Sequence, residues 1–118
     1  MDSLQVTDAQ SRAVAVAPRV ALADIEAAIA RRYDCRAADA VGEAVKIGPK
    51  GYPVNPLGLL SICILEMKNG FTVIGKSAPA SPENFNEELG KKYAYEDAVR
   101  QLWPLMGFAL RDRLSRGG

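Results

Sequence analysis

Apolar residues first take on a regular period at Val20. Leu22, Ile25 and Ile29 recur at helical spacing, with Asp24 and Glu26 early and Arg31 and Arg32 late. That charge order suits the helix dipole at both ends, so the spacing predicts a helix over 22–33. Before it, residues 1–19 carry small and polar side chains with no sustained period. They read as a mobile tail or a weakly docked arm. Residues 34–58 hold Gly42, Gly48, Pro49, Gly51, Pro53, Pro56 and Gly58, which disfavours long regular elements. A short strand is expected at Ala44-Val45-Lys46-Ile47, then a turn through Gly48-Pro49-Lys50-Gly51.

The sharpest local signal is Glu66-Met67-Lys68-Asn69-Gly70-Phe71-Thr72. Asn-Gly between β-rich runs is the preferred two-residue hairpin turn, since both positions need positive φ. Strands at 59–68 and 71–77 follow, with Met67 facing Thr72 and Leu65 facing Ile74. Alternation then groups Ser61, Cys63, Leu65, Met67, Thr72 and Ile74 on one face. Ile62, Ile64, Phe71 and Val73 fall on the other. Both faces carry large apolar groups, so one packs on helices and the other is expected to meet a partner subunit.

Further on, Ser81-Pro82-Glu83-Asn84 reads as a helix start, with Ser81 as cap and Pro82 at the first helical position. Phe85, Leu89, Val99, Leu102, Trp103, Met106, Leu110 and Leu114 continue a helical stripe. Pro104 interrupts it, which predicts a kink or break near Trp103 and two helical segments. The expected fold is α+β: a short antiparallel β-hairpin or sheet packed with an N-terminal helix and a long kinked C-terminal helical segment. A chain of 118 residues fits one such domain, placed at 20–116 as a single ligand-binding unit.

Composition narrows the chemistry. Fifteen Lys and Arg against fourteen Asp and Glu leave a formal charge of +1, too little for a chain that coats nucleic acid through bulk charge. No apolar run approaches the roughly 18 residues of a membrane span, and the start lacks a secretory pattern, which predicts a cytoplasmic protein. The chain has no histidine, so an imidazole zinc site, a Ser-His-Asp triad and a Cys-His pair are all excluded within it. Cys63 lies in the apolar run 59–65 and reads as a small buried hydrophobe. Cys35 follows Tyr33-Asp34 in an expected loop with no base beside it. Glu87-Glu88 and Glu96-Asp97 are helix neighbours that diverge, so neither makes an acid/base dyad. No phosphate-binding or dinucleotide fingerprint is present. The expectation is a non-enzyme with no cofactor and no metal.

Binding has more support than catalysis. Leu110-Arg111-Asp112-Arg113-Leu114-Ser115-Arg116 gathers three guanidinium groups, whose planar donors suit phosphate oxygens. Phe71, Phe85 and Tyr95 offer rings for stacking a base, and the Asn84 amide can both donate and accept. With Lys92, the expected ligand site is Phe71, Asn84, Phe85, Lys92, Tyr95, Arg111 and Arg113.

The run Lys68 to Ser77, then Ser81 to Asn86, Leu89-Gly90-Lys91-Lys92, and Ala98 to Leu114 with Trp103-Pro104-Leu105, resembles the phage gene-49/gene-66 family of small proteins. The helix at Asp24 to Ile29 is similar to that family's opening helix. The ordered combination of NGF, PENF and LWPL carries the resemblance, which spans more than half of the 118 residues. Departures are the Gly/Pro-rich 34–58, the N-terminal extension, and Ala21 in place of a hydroxyl cap. The family includes phage anti-Thoeris sponges, so the resemblance implies an oligomeric phage or prophage immune-evasion protein. Such a protein would hold a cyclic nucleotide signal, of cyclic ADP-ribose type or a cyclic oligonucleotide, without cleaving it, in the host cytoplasm. The alternative expectation is a phage adaptor binding a host protein through the apolar hairpin face. A nucleic-acid binder using the arginine-rich end is the third.

Overall fold

The computed structural model describes residues 2–117. A three-stranded antiparallel sheet in the order β1-β2-β3 is formed by β1 (Ile29–Arg36), β2 (Ser61–Met67) and β3 (Thr72–Ser77). One long helix, α5 (Glu87–Ser115), lies across its inner face. Two N-terminal helices, α1 (Ser3–Val14) and α2 (Leu22–Ala28), complete the larger elements. The short helices α3 (Ala37–Ala40) and α4 (Pro56–Leu59) sit in the connection between β1 and β2. The α+β expectation of an N-terminal helix, a small antiparallel sheet and a long C-terminal helix is what the chain adopts.

The core lies between sheet and α5. Ile25, Cys63, Leu65, Ala94, Ala98 and Val99 are fully buried there, with Leu102, Met67 and Val73 nearly so. Cys63 is the small buried hydrophobe expected. Burial, and then the neighbouring Asp34 charge, pushes its thiol up to about 11, so it stays protonated and unreactive at neutral pH. Small residues set the spacing between the layers. A side chain at Gly75 would strike the α5 backbone at Ala94 and Ala98.

The turn between β2 and β3 corrects the register. Met67 N donates to Phe71 O, and Gly70 N donates to Met67 O. The loop is therefore three residues, Lys68-Asn69-Gly70, with only Gly70 at positive φ (+88°). Asn69 is not left-handed. Its side chain instead accepts from Phe71 N at 2.9 Å, so the two-residue turn is replaced by a wider one. Pairing slips by one: Leu65 faces Val73 and Ile64 faces Ile74. A one-residue slip turns a strand over. Val73 accordingly joins the core, while Thr72 and Ile74 move to the outer face with Ile62, Ile64 and Tyr33.

The helix over 22–33 stops at Ala28, and Ile29–Arg36 is strand. No period-2 apolar pattern marks it, because its inner face carries Arg32, Asp34 and Arg36. The fold accommodates these by pairing Asp34 with Arg32 at 3.0 Å and by laying rings against the two arginines. The Arg32 guanidinium lies 4.2 Å from the Tyr95 ring centre, and Arg36 lies 4.8 Å from that of Phe85. Cys35 consequently sits in a strand, half-buried, rather than in a loop.

Residues 3–14, read as a tail, form α1. Asp2 caps it, accepting from Gln5 N at 2.8 Å while the Gln5 side chain accepts from Asp2 N. Leu4 enters the core, and Ser3 Oγ donates to the buried Glu96 carboxylate at 2.9 Å. Asp8 accepts from Arg19 Nη1 at 2.8 Å and from Leu22 N at 3.0 Å, tying α1 to the start of α2. Those two bonds, the Leu22 amide first, hold the Asp8 carboxyl below its ordinary value. A folded value below the unfolded one stabilises above the unfolded value near 3.8, and that contribution is lost as pH falls through the folded value. Protease protection of residues 1–20 should therefore fall below about pH 4 in an acid series. Asp8→Asn should remove that part of the pH dependence.

Three smaller expectations are also corrected. Ala44–Ile47 is not a strand, and only an isolated bridge, Ile47 to Pro53, spans the Gly48–Gly51 turn. Asn55 holds this segment instead, accepting from Lys46 N and donating to Ala44 O and Glu43 Oε1. Pro82–Asn84 is a single 3₁₀ turn without a side-chain cap, and Asn86 caps the true helix by accepting from Leu89 N at 3.0 Å. Pro104 does not split α5, which runs unbroken from Glu87 to Ser115. Pro104 is exposed and lacks a backbone donor, and the helix continues through it on the hydrogen bonds of the flanking turns.

Candidate functional site

A groove of about 660 Å³ opens between the end of α2, the β2–β3 turn and the C-terminal half of α5. Its size falls within the range of small-molecule sites. Met67 and Leu102 form a buried apolar floor, and Val20, Met106 and Leu110 continue the wall. Phe71, half exposed after the turn, presents its ring to the opening. Arg19, Lys68 and Arg113 bring cations to the rim, and Asp24 is the one carboxylate there.

The local architecture fixes these groups. Lys68 N donates to Ala28 O at 2.8 Å, which seats the turn on the end of α2. Trp103 Nε1 donates to Val20 O at 3.0 Å, which joins α5 to the lead-in of α2. Asp24 accepts from Ala21 N at 2.8 Å, supplying the reciprocal half of a cap that Ala21 cannot supply itself. Arg19 is engaged by Asp8. Lys68 and Arg113 have no carboxylate within 4.0 Å among the described residues, so their charge is available to an incoming anion.

Of the seven residues expected from the sequence, this groove unites Phe71 and Arg113. Arg111 lies two positions from Arg113 on a helix, so it points to a different side and is exposed outside the groove. Asn84 and Phe85 line a separate hollow of about 180 Å³ beside the N-terminal end of α5, smaller than ordinary ligand sites. Tyr95 is covered by Arg32, and burial together with Glu26 raises its hydroxyl above the ordinary value. Lys92 lies 3.9 Å from buried Glu96. Reasoning from sequence missed Arg19, Lys68 and Met106. Lys68 was the findable one, because a cation leading into the turn shares its surroundings with Phe71.

No helix among the described residues is long and apolar enough to cross a membrane. A family model described as Phage protein (N4 Gp49/phage Sf6 gene 66) family matches residues 20–114. No curated protein and no solved structure matches the chain.

Proposed function

The chain belongs to the Phage protein (N4 Gp49/phage Sf6 gene 66) family, and from that premise we propose that it is a non-catalytic immune-evasion protein that binds and sequesters a cyclic nucleotide signal. The observation carrying this reading is the meeting of Phe71, Lys68 and Arg113 on one apolar groove. A base is flat and apolar on its faces and stacks on Phe71. A phosphate carries charge that Lys68 and Arg113 neutralise through short charge-assisted bonds. The groove wall offers no hydroxyl, thiol or imidazole side chain as nucleophile, and the one carboxylate, Asp24, is already engaged as a cap. Such a wall holds a ligand and gives it back intact.

The test incubates the protein with cyclic ADP-ribose-type and cyclic dinucleotide signals, then denatures it and recovers the nucleotide. Stoichiometric uptake with intact release is expected, and turnover beyond the protein's own concentration rules the reading out. By calorimetry, Arg113→Ala should weaken binding about tenfold to a hundredfold, the equivalent of one charge-assisted bond. Phe71→Ala should lose a comparable amount. Arg111→Ala, outside the groove, should bind like the parent.

The second reading, an adaptor for a host protein, draws on the outer sheet face, where Tyr33 and Ile74 are about half exposed beside Ile62 and Ile64. Ile74→Glu separates the two, since it should abolish host-protein binding and leave nucleotide binding intact.

A further inference from the structure

Helix α1 is an addition to the family-matched unit, lying wholly before residues 20–114. It rests on the domain at two places. At its first turn Leu4 is its one buried residue. Beside it Ser3 Oγ donates to Glu96, and the Arg100 guanidinium donates to Ser3 Oγ. One turn on, Asp8 accepts from Arg19 Nη1 at 2.8 Å and from Leu22 N at 3.0 Å. From Gln10 to Pro18 every residue is exposed, Val14 at 79% and Val16 at 100%. An arm with so few buried groups opens locally at small cost.

The second of these contacts reaches the groove. Arg19 stands on its rim with Lys68 and Arg113, and of the three cations it is the one already paired. Its partner is an ion of the opposite charge on α1, and the two side chains are only 19% and 15% exposed. An anion entering the groove beside Arg19 puts a second negative charge on the same guanidinium. The two anions repel, most strongly where solvent is partly excluded. One movement relieves that repulsion: Asp8 lets go, and the sparse contacts of α1 permit it.

We propose that Arg19 is a third anion-binding group of the groove and that α1 withholds it, the Asp8 carboxylate standing in for the ligand's own anion. This rests on the groove reading above and adds to it a competitor carried by the chain itself. By linkage the effect runs both ways. Whatever factor docked Asp8 takes from anion affinity, a bound anion takes from the docking of α1. Couplings between sites run from about fivefold upward, and about tenfold is expected here. The opposite role for Asp8, holding Arg19 in place for the ligand, predicts the opposite sign.

Calorimetry of the full chain with inorganic pyrophosphate tests it, together with hydrogen exchange of the α1 amides with and without that probe. Asp8→Asn keeps an oxygen for the Leu22 amide but loses the charge, and it should bind pyrophosphate about tenfold more tightly than the parent. Adding Arg19→Ala to Asp8→Asn should erase the gain. Leu4→Ala, which loosens α1 at its other contact, should also bind more tightly. In the parent, saturating pyrophosphate should speed exchange across α1 by a comparable factor. An Asp8→Asn variant that binds no more tightly than the parent overturns the proposal, and so does α1 exchange that is unchanged at saturation. The groove reading fails by a different result, pyrophosphate binding that is indifferent to Arg113→Ala. Binding that needs Arg113 yet ignores Asp8→Asn overturns the role of α1 alone.

Discussion

Gly75→Ala should cost the fold about 3 kcal/mol or more, beyond what a single methyl usually costs, because the obstruction is backbone. A Cβ at Gly75 would lie 2.5 Å from Ala98 N and 2.9 Å from Ala98 Cβ, and closer still to Ala94 O. A flexible side chain could turn away, but helix backbone cannot. Strand β3 would have to lift from α5, and α5 contributes Ala94, Ala98, Val99 and Leu102 to the core. The lift would also break the edge contacts of β3. Asp97 accepts from Lys76 N at 2.9 Å, and Gln101 donates to Ile74 O at 2.7 Å, so α5 satisfies the free side of that strand. Thermal unfolding should show the midpoint lowered by more than about 10 °C. Ala98→Gly in the same chain should restore only part of the loss, since Ala94 O and the amide at position 98 remain in the way. Full restoration would mean that the methyl of Ala98, not the helix backbone, sets the spacing.

That contact also shows where sequence reading stops. The sequence marks α2 by its period, α5 by its long stripe, and the hairpin by its turn. It does not mark β1, whose inner residues Arg32, Asp34 and Arg36 look solvated until Tyr95 and Phe85, some sixty and fifty positions away, lie over two of them. Helix α1 was legible in one respect: Asp2-Ser3-Leu4-Gln5 is an acid and an amide at capping-box spacing. With only Leu4 reaching the core, no apolar period supports the helix beyond that cap. At the groove, Phe71 and Arg113 follow from residue chemistry alone. Which residues join them is a matter of packing, because positions 19, 68 and 113 meet only once α5 crosses the sheet.

The register of the hairpin yields the other large effect, and it separates two pairings that the sequence alone does not. With a two-residue Asn-Gly turn, Ile74 would stand beside Leu65 in the core and Val73 would face outward. With the three-residue turn, Val73 is beside Leu65 and 7% exposed, while Ile74 is 57% exposed. Leu65 itself is fully buried at the centre of the sheet–helix interface. Leu65→Ala should therefore lose about 3–4 kcal/mol, the transfer term plus a cavity that Cys63, Met67 and Val99 cannot collapse to fill. Val73→Ala removes a smaller buried side chain and should cost about 2 kcal/mol. Ile74→Ala, though it removes more atoms than Val73→Ala, should change stability by no more than about 0.5 kcal/mol. Urea denaturation of the three variants gives the order directly. A larger loss at Ile74 than at Val73 would restore the two-residue turn and turn β3 over.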